Sequence, residues 1–263
     1  MIPRAYITEW QKNAPWQSNA QIEQDLVIER ALSELFSIDF LRENLAFRGG
    51  TVLHKMFLKP QARYSEDIDL VQINATNIGE LLSVIRKTLK FIDSKPRYKT
   101  TKHNNTLIFR FKSEVEPIQP IRLKVEINCR EHFTVLGLKE IKYSVQNSWF
   151  SGESKVTTYE LEELLGTKLR ALYQRAKGRD LFDLYYALSK VNIDPSKIIQ
   201  CYNEYMIISD GKAATSREFI LNMDEKMKDD TFRGDIVGLL RPDIQFNIDE
   251  AYKLIKQVLL EKI

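Results

Sequence analysis

The chain has 263 residues and 30.8 kDa, is 43% apolar and 29% charged, and carries a net charge of +3 with a pI near 8.6. That is enough for one large domain or two small ones with an ample core; no run approaches the ~18 apolar residues of a membrane span, and Met1–Asn13 carries no apolar signal core. Cys129 and Cys201 frame neither a disulfide scaffold nor a zinc spacing, so a reducing cytoplasm is the expected compartment, and the slight basicity is weak support for a polyanionic partner.

In chain order, residues 1–17 read as irregular, with Trp10 and Trp16 covering a core edge. Ser18-Asn19-Ala20-Gln21 is a capping box. The helix it opens carries Ile28, Ala31, Leu32, Leu35 and Phe36 at helical spacing. A short helix over Asp39 to Asn44 leads into a strand at Leu45. Phe47-Arg48-Gly49-Gly50-Thr51-Val52-Leu53 then places two glycines before a helical stretch, Thr51 to Leu58. Arg63-Tyr64-Ser65-Glu66-Asp67-Ile68-Asp69-Leu70 follows. If Ile68 to Val71 is a strand, Asp67 and Asp69 point one way and Ile68 points into a core. Two carboxylates on one strand face repel, and a divalent cation is the usual remedy; hard cations such as Mg²⁺ take carboxylate oxygens together with substrate phosphates. Gly49 and Gly50 allow backbone N–H groups to approach an anion closely. Alone, each half is common: an Asp-x-Asp without metal, a Gly-Gly that is only a turn. Together, in one strand–turn–helix–strand unit, they suggest phosphoryl or nucleotidyl transfer. His54 reads as a core or solvent-facing residue.

Residues 77–92 form an amphipathic helix. From Arg86 to Lys112, nine cations (Arg86, Lys87, Lys90, Lys95, Arg97, Lys99, Lys102, Arg110, Lys112) face one acid, Asp93, with Tyr98 among them. This stretch suits either a nucleic-acid backbone or a solvated surface. Thr106 to Lys112 and Ile121 to Asn128 alternate and read as a long hairpin. On the second strand Arg122, Lys124, Glu126 and Asn128 share one face. Glu126 therefore joins Asp67 and Asp69 if the strands are neighbours; the plainer alternative is a surface Glu paired with Arg122 or Lys124. Residues 132–156 are poorly patterned. Thr158-Tyr159-Glu160-Leu161 opens a long leucine-rich helix with five cations in its second half and just beyond: Lys168, Arg170, Arg175, Lys177 and Arg179. Such a flank facing a carboxylate cluster is what a bound triphosphate requires. Gly178 interrupts the helix, Asp180 is placed to cap the next one (Leu181 to Ser189), and Arg179 is spaced to pair with Asp183. The rest reads as helices, chiefly Lys197 to Ile208, Ser216 to Met227 and Ile248 to Lys262.

Gly-Gly-Thr-x-Leu-x-Lys followed by Arg-x-Ser-x-Asp-Ile-Asp-Leu resembles the AbiEii-type nucleotidyltransferase toxin family, within the DNA polymerase β-like nucleotidyltransferase superfamily. The spacer from Thr51 to Glu66 is longer than the superfamily pattern, an extension the AbiEii group shares. Lys168-Leu169-Arg170-Ala171-Leu172 and Lys177-Gly178-Arg179-Asp180-Leu181-Phe182-Asp183 are similar to its later blocks, where a lysine and an Arg-Asp-x-x-Asp segment help form the active site.

The expected architecture is α+β: a polymerase β-like core with a small mixed sheet over residues 1–156, and a helical part over 157–263 that contributes to the active site. The resemblance implies that Asp67 and Asp69 hold Mg²⁺ (Mn²⁺ as an alternative) and that Glu126 completes the metal site or acts as general base. Gly49, Gly50 and Thr51 or Ser65 contact the phosphates of a nucleoside triphosphate. Lys168 and Arg179 neutralise phosphate or pyrophosphate charge, and Asp180 and Asp183 orient those cations or the base. It also implies a cognate antitoxin and, as in some members, a tRNA 3′ end as acceptor. The rivals are protein nucleotidylation, a kinase-like phosphotransferase with Ser65 as a self-modification site, and a non-catalytic nucleotide-binding module.

Overall fold

A computed structural model describes residues 2–263. They form two compact units: 2–133 with 138–159, and 134–137 with 160–263.

The first unit is built on one seven-stranded mixed sheet. Its elements are α1 (Arg4–Trp10), α2 (Asn19–Phe36), α3 (Asp39–Asn44), β1 (Leu45–Arg48), α4 (Gly49–Val52, continued by a π-helical turn Leu53–Phe57), β2 (Asp67–Gln72), α5 (Ile78–Thr88), β3 (Arg97–Thr100), β4 (Asn104–Lys112), β5 (Pro120–Asn128), β6 (Leu138–Gln146) and β7 (Ser151–Tyr159). The strand order is β3-β4-β5-β2-β1-β7-β6. β2 runs parallel to β5 and β1 parallel to β7, while the other neighbours are antiparallel. The sheet is larger than the small one expected, because residues 138–159, read from the sequence as poorly patterned, form a hairpin in which Ile141, Tyr143 and Val145 alternate with exposed polar residues. Residues 1–17 likewise contain α1 rather than irregular chain, and Trp10 is buried with its indole N–H donating to Asp25 at 2.9 Å.

The Ser18 capping box forms as read, its hydroxyl accepting from Gln21 N and Gln21 returning to Ser18 N. α2 then touches β5, β6 and β7. Its Phe36 ring meets Phe47 of β1, so α2 covers the sheet face to which Phe47, Ile68, Leu70, Leu123, Val125 and Ile127 contribute, all buried. Strand alternation sends Arg48, Asp67, Asp69, Lys124 and Glu126 to the other face, where they are only half-buried. Within the same unit Lys55, on the π-helical turn, is buried against Asp25 (3.0 Å) and Glu29 (2.7 Å) of α2, and Tyr143 of β6 donates its hydroxyl to Glu29. This ion cluster ties the turn that follows the glycines to the longest helix.

The second unit is helical: α6 (Leu161–Gln174), α7 (Gly178–Lys190), α8 (Pro195–Asp210), α9 (Ser216–Lys226), α10 (Asp230–Gly234) and α11 (Ile248–Val258). α6 packs on α7, α8 and α9, and α11 packs on α7. Residues 134–137 belong to it because buried Glu163 collects the Thr134 hydroxyl (2.8 Å) and the backbone N–H groups of Val135 (2.9 Å) and Leu136 (2.8 Å). Among the described residues no helix is long and apolar enough to cross a membrane.

Candidate active site

The parallel pairing of β2 with β5 decides where the acids go. Asp67 lies opposite Lys124, and Asp69 opposite Glu126. Paired residues on neighbouring strands project to the same side, about 4.8 Å apart along the hydrogen-bonding direction. The sheet thus brings Asp67, Asp69 and Glu126 onto one face, although Glu126 is 57 residues beyond Asp69 in the chain. Glu126 does not pair with Arg122 or Lys124. Its Oε1 accepts from the Asn104 amide at 2.8 Å, and its Oε2 lies 3.5 Å from the Thr106 hydroxyl, both on β4. Lys124 crosses instead to Asp67, Nζ to Oδ2 at 3.0 Å.

The glycine turn is shaped around this face. Gly49 opens α4 at φ +86°, in the left-handed region that penalises a side chain. A Cβ there would lie 2.1 Å from Asp69 Oδ2, so the bare backbone is what lets that carboxylate close on the turn. A Cβ at Gly50 would lie 2.3 Å from Arg63 Nη2. The Thr51 and Ser65 hydroxyls are 2.7 Å apart, and Thr51 also donates to Asp67 O at 2.5 Å. These bonds staple the turn to the start of β2. The anion that the structure sets against Gly49 is therefore the protein's own Asp69. Arg48, opposite Asp69 on β1, forms an ion pair with Glu131.

Lys124, Arg48, Arg63 and Asn104 are the parts of this face to which sequence reasoning assigned no role. Arg48 and Arg63 stand inside the two motifs, so their adjacency to the glycines and to Ser65 was the available signal. Lys124 was named only as a partner for Glu126; the inter-strand register that sends it to Asp67 is invisible in a one-dimensional pattern.

In the second unit Lys168, Asp180 and Asp183 come together. Lys168 Nζ lies 2.9 Å from Asp180 Oδ1 and 3.1 Å from Asp183 Oδ2, and both carboxylates are fully buried. Arg175 adds two bonds to Asp180, Nε to Oδ2 at 2.7 Å and Nη2 to Oδ1 at 2.9 Å. Burial alone would raise the Asp180 carboxyl, but Lys168 and Arg175 outweigh it and hold it below the usual 3.8. Two expectations are corrected here. Asp180 does not cap the helix: α7 already begins at Gly178, and Asp180 turns inward within its first turn. Arg179 does not serve Asp183; its backbone N–H donates to Asp235 at 3.2 Å and its guanidinium lies 3.8 Å from the same carboxylate. Lys177 also faces Asp235 (3.4 Å), and the Arg170 guanidinium lies over the Tyr205 ring. The cations expected along one flank are thus divided among separate partners.

For a metal ion, the donor chemistry fits better than the arrangement. Asp67, Asp69 and Glu126 offer the hard oxygens that Mg²⁺ and Mn²⁺ take. Yet among the described residues no group of three or more His, Cys, Asp or Glu is gathered as a metal site. The three expected ligands share a face but not a ligand sphere. Lys124 draws Asp67 toward itself, and Asn104 holds Glu126 toward β4. The residues that fit a divalent cation are Asp67 and Asp69, with Lys124 supplying positive charge at Asp67.

A mixed sheet with this carboxylate face, beside a glycine turn and followed by helices, defines the class: a nucleotidyltransferase. The family "Nucleotidyl transferase AbiEii toxin, Type IV TA system" matches residues 30–257, and the chain belongs to that family. It is therefore a nucleotidyltransferase toxin of a toxin–antitoxin system, with a nucleoside triphosphate as substrate and an antitoxin as partner. Its structure is similar to MenT4, a nucleotidyltransferase toxin from Mycobacterium tuberculosis H37Rv, at a TM-score of 0.70 and 17% identity, covering 100% of this chain and 91% of that one. It is also similar to JHP933 from Helicobacter pylori, at 0.52 and 16%, covering 93% and 94%. At such identities the likeness speaks for the fold alone. Among curated proteins none matches the sequence.

Proposed function

We propose that the protein transfers a nucleotide from a nucleoside triphosphate to the 3′ end of tRNA in the cytoplasm, using Mg²⁺ or Mn²⁺ held by Asp67 and Asp69. The observation that carries the reading is the register of β2 on β5, which sets Glu126 beside Asp69 and both on the face of Asp67. A bound divalent cation supplies charge neutralisation at the phosphates. Gly49 and Gly50 leave room at the turn, and Thr51 and Ser65 bring hydroxyls to its edge. Glu126 takes the proton of the attacking hydroxyl at Oε2, the oxygen with the longer contact, while Asn104 fixes Oε1. The acceptor oxygen bonds to the α-phosphorus as the α–β bridge breaks, and pyrophosphate leaves. The protein's part is position and electrostatics. Lys168, Arg179, Asp180 and Asp183 are kept as activity residues on the strength of the family resemblance.

Support for an RNA acceptor comes from the basic stretch between Arg86 and Lys112, all nine of whose cations are exposed. The test is incubation with each of four α-labelled nucleoside triphosphates and total RNA, with Mg²⁺ and with chelator. Label is expected in small RNA, lost with chelator and lost in Asp67→Ala while the circular dichroism spectrum is retained. Full activity of Asp67→Ala ends the mechanism. Label on protein alone rejects the RNA acceptor, and transfer of γ-label rather than α-label makes the enzyme a kinase.

A further inference from the structure

The sheet register extends beyond the acids to the edge of the sheet. Lys99 of β3 pairs with Thr106 of β4, Thr106 with Glu126 of β5, and Glu126 with Asp69 of β2. The adjacent row runs from Arg97 to Ile108 to Lys124 to Asp67. Residues joined in such rows stand on the same side of the sheet. Arg97 and Lys99 therefore belong to the face of the carboxylates, three strand spacings from Asp67 and Asp69, or about 14 Å at ~4.8 Å per strand.

These two cations lie on an edge strand whose four residues are all exposed. Neither forms an ion pair among the described residues, nor do the other seven cations between Arg86 and Lys112. The one acid in the stretch is spent on backbone: Asp93 accepts from Lys95 N at 2.8 Å and from Arg110 N at 3.2 Å. Tyr98, between the two cations, is 42% exposed, with the Arg86 guanidinium 5.5 Å from its ring centre. Cations on a sheet edge also discourage edge-to-edge pairing, but that task does not require them to share rows with the acids.

We infer that Arg97 and Lys99 form the entry of a phosphate track, along which the single-stranded end of an RNA acceptor crosses β4 and β5 to the carboxylate face. This rests on the RNA acceptor proposed above. Unpaired, exposed cations grip phosphates without reading sequence, and each contact with a single strand contributes about −0.7 to the slope of log K against log salt. The sidedness assigns to β3 the backbone of the segment next to the reacting end.

The experiment is fluorescence anisotropy of a labelled tRNA, without metal or nucleotide, across a salt series. Two variants are compared with the unaltered protein: Arg97→Glu/Lys99→Glu, and Lys142→Glu on β6 at the opposite edge of the sheet. The double variant is expected to raise Kd at least about tenfold at low salt and to make the slope shallower by about 1.4, two contacts' worth. Lys142→Glu is expected to change neither. Arg97→Gln/Lys99→Gln, which adds no repulsion, is expected to show the same loss of slope. Equal effects from both edges, or an unchanged Kd in the double variant, overturn the inference. So does unchanged tRNA binding with lost binding of the cognate antitoxin, which would give this edge to a protein partner. A protein that transfers nucleotide to tRNA but binds it unchanged after Arg97→Glu/Lys99→Glu refutes the track alone. One that binds tRNA through this edge but never transfers refutes the proposed activity alone.

Discussion

At the scale of single residues, the site turns on how closely Asp69 approaches Gly49. The turn is left-handed there, and a methyl group would stand 2.1 Å from the carboxylate oxygen. Gly49→Ala meets both penalties. The left-handed backbone costs about 1–2 kcal/mol for an L-residue, and Asp69 must move. We expect lower stability in urea and nucleotide transfer reduced about a hundredfold, as for a reacting group displaced by about 1 Å. Gly50→Ala meets the far end of the Arg63 side chain instead, without a positive φ, and should lose less of both. The comparison separates a turn shaped around Asp69 from one that merely needs flexibility, since the latter predicts equal losses. The acids themselves were legible as Asp-x-Asp, because a two-residue period fixes their common face. Their neighbours were not. Lys124 reaches Asp67 through a pairing between strands distant in sequence, and Asp180 is turned inward by Lys168 and Arg175 where its position suggested a helix N-cap.

At the scale of elements, legibility followed burial. The β4–β5 hairpin was readable because Ile121, Leu123, Val125 and Ile127 alternate with polar residues over a full strand. β6 and β7 were not read: in Leu138–Gln146 only Ile141, Tyr143 and Val145 mark the more buried face, against an exposed face of Leu138, Glu140, Lys142, Ser144 and Gln146, and Ser151–Lys155 offers little apolar period, so the β7 half of the hairpin rests on backbone pairing more than on patterning. β3, wholly exposed, left no period either, though its charge was conspicuous. Residues 58–66, the irregular end of the spacer, hid the link between turn and strand that the Thr51, Ser65 and Asp67 bonds supply. The helical unit was read nearly element by element, but not the clamp that assigns residues 134–137 to it. Glu163, fully buried, accepts there from Thr134 Oγ1, Val135 N and Leu136 N, and also from the Tyr205 hydroxyl at 2.8 Å. A glutamine has one acceptor oxygen, and its amide would face donors. Glu163→Gln should therefore lower stability by about 3 kcal/mol, the order expected for buried donors left without a charged acceptor. A thermal melt checks it; an unchanged Tm would mean that the loop repacks without the carboxylate.

At the scale of the whole molecule, each unit encloses an ion cluster of its own, and the two set opposite limits on stability against pH. In the first unit, burial alone would lower the Lys55 ammonium, but Asp25 and Glu29 outweigh it and raise it above the usual 10.5. A base whose folded pKa lies above its unfolded one stabilises fully below about 10.5 and loses that contribution as pH rises through the folded value. In the second unit Asp180 is held below 3.8, so its contribution is complete above about 3.8 and is lost as pH falls through the folded value. Removing one partner of a buried pair leaves the others uncompensated, at a cost of about 3–5 kcal/mol. Lys55→Met and Asp180→Asn should both be less stable than the unaltered chain at neutral pH by that order. The two deficits then part company: the Asp180→Asn deficit should shrink below pH 3.8, and the Lys55→Met deficit should shrink above pH 10.5. Urea unfolding at acid, neutral and alkaline pH reads both differences directly. Deficits that stay constant across all three would show that the two clusters act through packing alone, their charges contributing nothing to the stability of the fold.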